Sequence, residues 1–248
     1  MPFLRKVRAV EIISPTGQGY TQPFFIKADD GEIYVVKGMA GAGAAGLVSE
    51  FICAELGNRY GLPMPEHALM YIPKEMLDFS LIDGIENLYG KVAFASKRIT
   101  HARTLNFSQI DLVSQELQQK IYMFDVWVSN DDRNLSREGG NVNLLIDDEN
   151  NIYVIDHNLA FSKSDHASPR EHHVFRNQLN SLDDYATRDN HLSAMCESLE
   201  NWDRIVEKIP EEWIYKEPFG DDEYEPTLES RYELLLKAHD DAAIWREA

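Results

Sequence analysis

The 248 residues carry 24 basic and 42 acidic side chains, a net charge of -18, and 44% of them are hydrophobic. The apolar share suffices for a core of one to two domains, and the acidic excess opposes nonspecific attraction to nucleic-acid phosphates or to an anionic membrane surface. No window reaches the roughly 18 uninterrupted apolar residues of a membrane span, and Arg5, Lys6 and Arg8 interrupt the one stretch that would imitate a signal peptide. A cytoplasmic protein is expected, with no direct nucleic-acid or membrane partner.

Phe24 to Lys27 and Glu32 to Lys37 are β-rich and flank an Asp30-Gly31 step, which predicts a tight antiparallel hairpin. Leu47, Phe51, Ala54 and Leu56 follow helical spacing up to Tyr60, where Gly61, Pro63 and Pro65 block continuation. Strands are predicted over 67–72 and through Val92-Ala93-Phe94-Ala95. Beyond about residue 97 the pattern turns mainly helical, which places a domain boundary there. Ile110, Val113, Leu117, Ile121, Phe124 and Val128 draw one stripe, predicting a single long helix over 108–128. It runs into the polar stretch Ser129 to Asn134 and a loop through Gly139 and Gly140. Two short strands, 142–146 and 152–155, are separated by an acidic turn and predict a second hairpin. Helices are expected near 191–208 and 226–247.

Cys53 and Cys196 sit far apart in helix-like patterns, as buried thiols rather than a disulfide or zinc framework. Residues 197–248 hold 6 basic against 16 acidic side chains, read as solvated helix faces around apolar positions such as Trp213 and Ile244.

The second hairpin would bring Asn143 and Asp156 to the same open end, beside the loop that follows the long helix. Phosphoryl transfer needs such a convergence of a base-like carboxylate and metal-binding oxygens, and Mg²⁺ needs only one or two protein carboxylates beside nucleotide phosphates and water. With Asn130-Asp131-Asp132-Arg133-Asn134, Asn143-Leu144-Leu145-Ile146 and Ile155-Asp156-His157, the chain resembles the HipA-like kinases, within the wider protein-kinase and phosphatidylinositol-kinase fold.

The resemblance covers most of residues 10–165. It implies an α+β, two-lobed kinase-like fold: a small antiparallel-sheet lobe with a helix over 1–97, a mainly helical lobe over 98–248, and ATP with Mg²⁺ between them. It implies Asp132 as the catalytic-loop aspartate and Asn143 and Asp156 as metal ligands. It also implies Lys37 as the phosphate-binding lysine, Glu50 as its ion-pair partner, and Phe94 and Ala95 as further cofactor contacts. The same resemblance implies that Gly17 and Gly19 belong to the phosphate-covering loop, where missing Cβ atoms permit close approach. The acceptor implied is a protein serine or threonine, and a separate antitoxin-like partner belongs to the same resemblance.

Asn134 stands where the family has histidine, and Asp131 is a second candidate base. Asn143 lies eleven residues after Asp132, whereas protein kinases place the metal-binding Asn five after the Asp. A six-residue insertion within Leu135 to Gly140 follows, and Asn141 and Asn134 remain alternative ligands. The readings beside the protein kinase are a catalytically silent nucleotide-binding module and a small-molecule phosphotransferase.

Gly41-Ala42-Gly43-Ala44-Ala45-Gly46 is formally a G-x-G-x-x-G between a strand and a helix, with Glu66 beyond it. The preceding strand belongs to an antiparallel hairpin and no run of β-α-β units follows. A flexible Gly/Ala linker is expected instead of a dinucleotide site. His166, His172 and His173 are assigned to an activation-type segment rather than a metal cluster, and Ser14, Thr16 and Thr21 to ordinary loop hydroxyls.

Overall fold

The computed structural model describes residues 5–17, 19, 21–136, 139–162, 172–178 and 184–240. Gln18 and Tyr20 of the expected phosphate-covering loop, His166, Ile244 and the end of the expected C-terminal helix lie outside the described residues. The chain forms two compact units, one of Met1–Phe51, Pro65–Ile99 and Lys208–Glu225, the other of Ile52–Met64, Thr100–Glu207 and Pro226–Ala248. No helix among the described residues is long and apolar enough to cross a membrane.

The first unit is built on five strands: β1 (Arg5–Pro15), β2 (Phe24–Ala28), β3 (Ile33–Lys37), β4 (His67–Tyr71) and β5 (Val92–Lys97). They close into a barrel in the order β1-β2-β3-β5-β4 rather than forming the expected small antiparallel sheet. The closing contact is parallel. Arg5 to Arg8 of β1 run alongside Ala68 to Tyr71 of β4, whereas Ala9 to Pro15 pair antiparallel with β2. Register shifts between Ala9 and Glu11 and between Ile12 and Ser14 bend the strand, as extra residues in one strand of a pair do. The bend lets one strand serve two neighbours. Between β2 and β3, Gly31 takes φ +85° and donates its N–H to Ala28 O (3.0 Å), forming the anticipated tight turn.

Alternation along the strands sends Phe24, Ile26, Tyr34, Val36, Ala68, Met70, Ala93 and Ala95 into a shared apolar core, each buried. Burying each large side chain is worth about 1.5–3 kcal/mol. Segment 208–225 is stapled to the start of β5 by α-helical residues Glu211–Ile214. Glu212 Oε1 accepts from Lys91 N (3.1 Å) and Val92 N (2.7 Å), and Trp213 Nε1 donates to Val92 O (3.2 Å).

The Gly/Ala stretch is not a linker. It forms a one-turn helix α1 (Met39–Ala42), a break at Gly43 with φ +73°, and α2 (Ala44–Tyr60). A Cβ on Gly38 would overlap the Leu88 backbone, and one on Gly41 would come within 2.7 Å of Thr21 O, so these glycines are packing contacts. Both neighbours of β3 are antiparallel, which leaves no β-α-β unit for a dinucleotide.

In the second unit the expected long helix is two elements. A 3₁₀ turn over Phe107–Leu112 starts at an Asn106 capping box, and α3 (Gln115–Trp127) starts at Ser114, whose hydroxyl accepts from Leu117 N (3.3 Å). Two local caps outweigh one continuous apolar stripe. A three-stranded antiparallel sheet follows, formed by β6 (Arg103–Thr104), β7 (Leu144–Ile146) and β8 (Ile152–Val154). The expected helix over 191–208 is likewise divided, into α4 (Tyr185–Leu199) and α5 (Trp202–Val206), and α6 (Leu228–Leu235) precedes a 3₁₀ turn over Leu236–His239. Cys53 is buried, Cys196 is partly so, and neither is in a disulfide.

Candidate active site

In the first unit, Val36 points into the barrel, so Lys37 faces outward at the end of β3, directly opposite Phe94 on β5. There its ammonium pairs with Glu50 of α2, and both side chains are largely buried. Phe94 lies on this outer face too, stacked on His67 at 6.1 Å. His67 in turn meets the edge of Phe51, one residue beyond Glu50. Ala95 sends its side chain into the barrel core, leaving only its backbone for any ligand. The glycine-rich segment joins β1 to β2. Thr16 N donates to Pro23 O (2.8 Å) and Gln22 N to Gly19 O (3.2 Å), while Gly17 and Gly19 adopt φ +72° and +89°. Among the described residues, no atom beyond its chain neighbours lies within 4 Å of where a Gly17 Cβ would stand.

In the second unit, Leu144 of β7 faces Val154 of β8, and Ile155 N donates to Asn143 O (3.1 Å) at the open end of the hairpin. Asn143 and Asp156 there adopt positive φ, +49° and +62°. Such backbone conformations cost energy for non-glycine residues and cluster at functional sites. The chain folds back between Asn134 and Asn141: Asn134 N donates to Asn141 O (2.9 Å) and Ser136 N to Gly139 O (2.9 Å). Gly140, at φ +149°, lies where a Cβ would come within 2.7 Å of Asn134 O.

This fold-back returns the chain to Asp132. Its Oδ2 accepts from Asn141 Nδ2 (2.6 Å) and from Asn143 Nδ2 (3.1 Å). Asp132, not Asp131, is thus the aspartate joined to the asparagines. Asn134 makes backbone contacts within the fold-back, and its Oδ1 accepts from Asn141 N (3.3 Å). Burial pushes the Asp132 carboxyl above its ordinary value, the negative charge of Asp156 adds to the rise, and the amides of Asn143 and Asn141 partly offset it.

Two repelling carboxylates beside an asparagine whose amide nitrogen is turned to Asp132 form an oxygen-rich donor set suited to a hard divalent cation. The described residues contain no group of three or more His, Cys, Asp or Glu that would hold a metal without further ligands. The residues present fit an ion shared with phosphates.

Beneath the loop lies a polar cluster that the sequence reading missed. Arg133 is fully buried: Nε donates to Asp125 Oδ2 (2.5 Å), and Nη1 donates to the carbonyls of Val142 (3.1 Å) and Asn143 (2.6 Å). Its Nη2 lies 3.1 Å from His157 Nε2. Asp125 also accepts from Asn130 Nδ2 (2.8 Å) and pairs with His173 Nε2 (3.0 Å). Burial alone would push the Asp125 carboxyl upward, but Arg133, His157 and His173 hold it well below the usual carboxylate range. A lone Asp within Ile121-Tyr122-Met123-Phe124-Asp125-Val126-Trp127-Val128 was the available signal, since an isolated charge in an apolar run must find a buried partner.

A family model described as HipA-like kinase matches residues 9–248. No curated protein matches. Thirteen chains of solved structure do. A proinflammatory kinase of Helicobacter pylori, CtkA, is 13% identical, with 98% of each chain covered and a TM-score of 0.54. A golgi casein kinase is also 13% identical, with 98% of this chain and 71% of that one covered, at a TM-score of 0.35. At such identity the likeness to CtkA establishes a kinase-like fold alone, whereas the family match spans nearly the whole chain. The chain belongs to the HipA-like kinase family.

Proposed function

We propose that this protein transfers the γ-phosphoryl group of ATP, with Mg²⁺, to the hydroxyl of a protein serine or threonine. The observation that carries the reading is Asp132, held by Asn141 and Asn143 and within electrostatic reach of Asp156. Asp132 orients the acceptor hydroxyl and takes its proton as the new oxygen–phosphorus bond forms and the bond from the γ-phosphorus to the β–γ bridging oxygen breaks, with ADP as the leaving group. Asn143 and Asp156 are the residues that would hold the metal, which when bound neutralises charge on the transferring phosphate. Lys37, fixed by Glu50, serves the nucleotide phosphates, and the glycine-rich segment offers them backbone N–H groups. Arg133, spent on Asp125 and two carbonyls, braces the loop rather than reacting.

The test is incubation of the full chain with γ-labelled ATP and Mg²⁺, using mixed protein acceptors in one arm and small hydroxyl compounds in another. Label on serine or threonine is the expected result. Label on small compounds alone would replace the protein acceptor with a small-molecule one. ATP binding without transfer in either arm would mark a catalytically silent module.

A further inference from the structure

His173 has both ring nitrogens engaged. Nδ1 accepts from Phe175 N (2.9 Å), which makes Nε2 the protonated nitrogen that donates to Asp125 Oδ2 (3.0 Å). The same Asp125 oxygen receives Arg133 Nε (2.5 Å). The backbone repeats the connection, since Val174 N donates to Arg133 O (3.0 Å) and His173 bridges Asn134. Tyr122 meets the imidazole edge-on at 5.1 Å, and Phe175 beside it is buried. Residues 172–178 are therefore seated on the two residues that directly follow Asp132.

From Arg133 the connection continues into the site. Its side chain holds the Asn143 carbonyl (2.6 Å), and Asn143 Nδ2 reaches Asp132 Oδ2 (3.1 Å). Each of the four links from His173 to Asp132 is a directional hydrogen bond, three of them between buried groups. We propose that His173 is a positioning residue for phosphoryl transfer: through Asp125 and Arg133 it sets the geometry of Asp132 and Asn143. This rests on the reading of Asp132 and Asn143 as catalytic and metal-binding groups. Hydrogen-bonded partners one step removed from reacting or metal-binding groups typically change activity about 10–100-fold when lost.

His173→Leu removes the donor to Asp125 and the acceptor for Phe175 N while keeping apolar bulk, and His173→Gln supplies an amide N–H and an oxygen in their place. Two readouts on the full chain decide the matter. In steady-state transfer, His173→Leu is expected to lower kcat about 10-fold per folded molecule, the low end of that range because Asp125 and Arg133 stand between His173 and Asn143, with KM for ATP little changed, and His173→Gln is expected to recover most of the loss. An unchanged kcat per folded molecule in His173→Leu would overturn the proposal. A loss shared equally by His173→Gln would also overturn it.

The second readout is backbone hydrogen exchange over residues 130–143, which needs no activity. Faster exchange there in folded His173→Leu, restored in His173→Gln, is expected even if the natural chain transfers no phosphate. Exchange unchanged from the natural chain would overturn the link to the catalytic loop. Inactivity of the natural chain alone would overturn only the assigned reaction.

Discussion

Asp132→Asn is expected to lower phosphoryl transfer about 10²–10⁴-fold, the usual worth of a positioned general base, while the melting temperature stays level or rises. The two effects have separate causes. An asparagine oxygen in the same place still accepts from Asn141 and Asn143, so the loop keeps its hydrogen bonds. The substitution also removes a half-buried charge that Asp156 repels, and relieving such strain at an active site commonly stabilises a protein. Single-turnover transfer beside a thermal melt checks both. Asp131→Asn is expected to keep activity within a few-fold, since Asp131 lacks the bonds to the asparagines. The opposite ranking would move the base to Asp131.

The largest loss of stability is expected at Arg133. Arg133→Met keeps the length of the stem but leaves the buried Asp125 charge, still bonded to Asn130 and His173, without its guanidinium and strips two carbonyls of a donor. Breaking a buried ion pair from one side costs about 3–5 kcal/mol, or roughly 6–20 °C in melting temperature for a chain of this size. Asp125→Leu alone strands the guanidinium instead. The double variant is expected to fall short of the sum of the singles by about 1–3 kcal/mol, and simple additivity in denaturant melts would show that the two side chains act independently.

The same cluster contributes to the response to acid, beside His191, which burial also lowers. His173 is held below the ordinary imidazole value of 6.5, by its burial first, although Asp125 opposes the drop. The unfolded chain therefore binds the proton more readily than the native one. The stability this provides is full above pH 6.5 and declines as pH falls through the lowered native value. Asp125, also lowered, contributes above its unfolded value of 3.8 and loses that contribution at still lower pH. Within this cluster the histidine's contribution is lost before the carboxylate's.

Much of this was legible in sequence because it is local. The Asp-Gly turn, the strand that ends in Lys37, the hairpin that carries Asn143 and Asp156, and the helix stop at Gly61 each declare themselves within a few residues. Barrel closure does not, because it joins Arg5 to Ala68 across 63 positions and depends on bulges in β1. The alternation Lys6-Val7-Arg8-Ala9 was a strand signal, hidden beneath its basic residues. Ser114 interrupts the stripe of the expected long helix, and its value as a cap competes with a periodicity that favours continuation. The insertion before Asn143 was countable, but the fold-back that adds Asn141 to Asp132 needed the Gly140 geometry to become visible. Asp125 and His173 meet across 48 residues, and neither position carries a local pattern that names the other.

The central assignment is a nucleotide and metal site that uses Asp156, and the most direct measurement is the melting temperature with ATP plus Mg²⁺, with ATP alone and with NAD, for the natural chain and for Asp156→Ala. Ligand at about 100 times its dissociation constant stabilises by about 2.7 kcal/mol, a rise of roughly 5–10 °C. The expected result is a rise specific to ATP, dependent on Mg²⁺ and lost in Asp156→Ala. An equal rise in the variant, a rise with NAD alone, or none with any ligand would contradict the assignment.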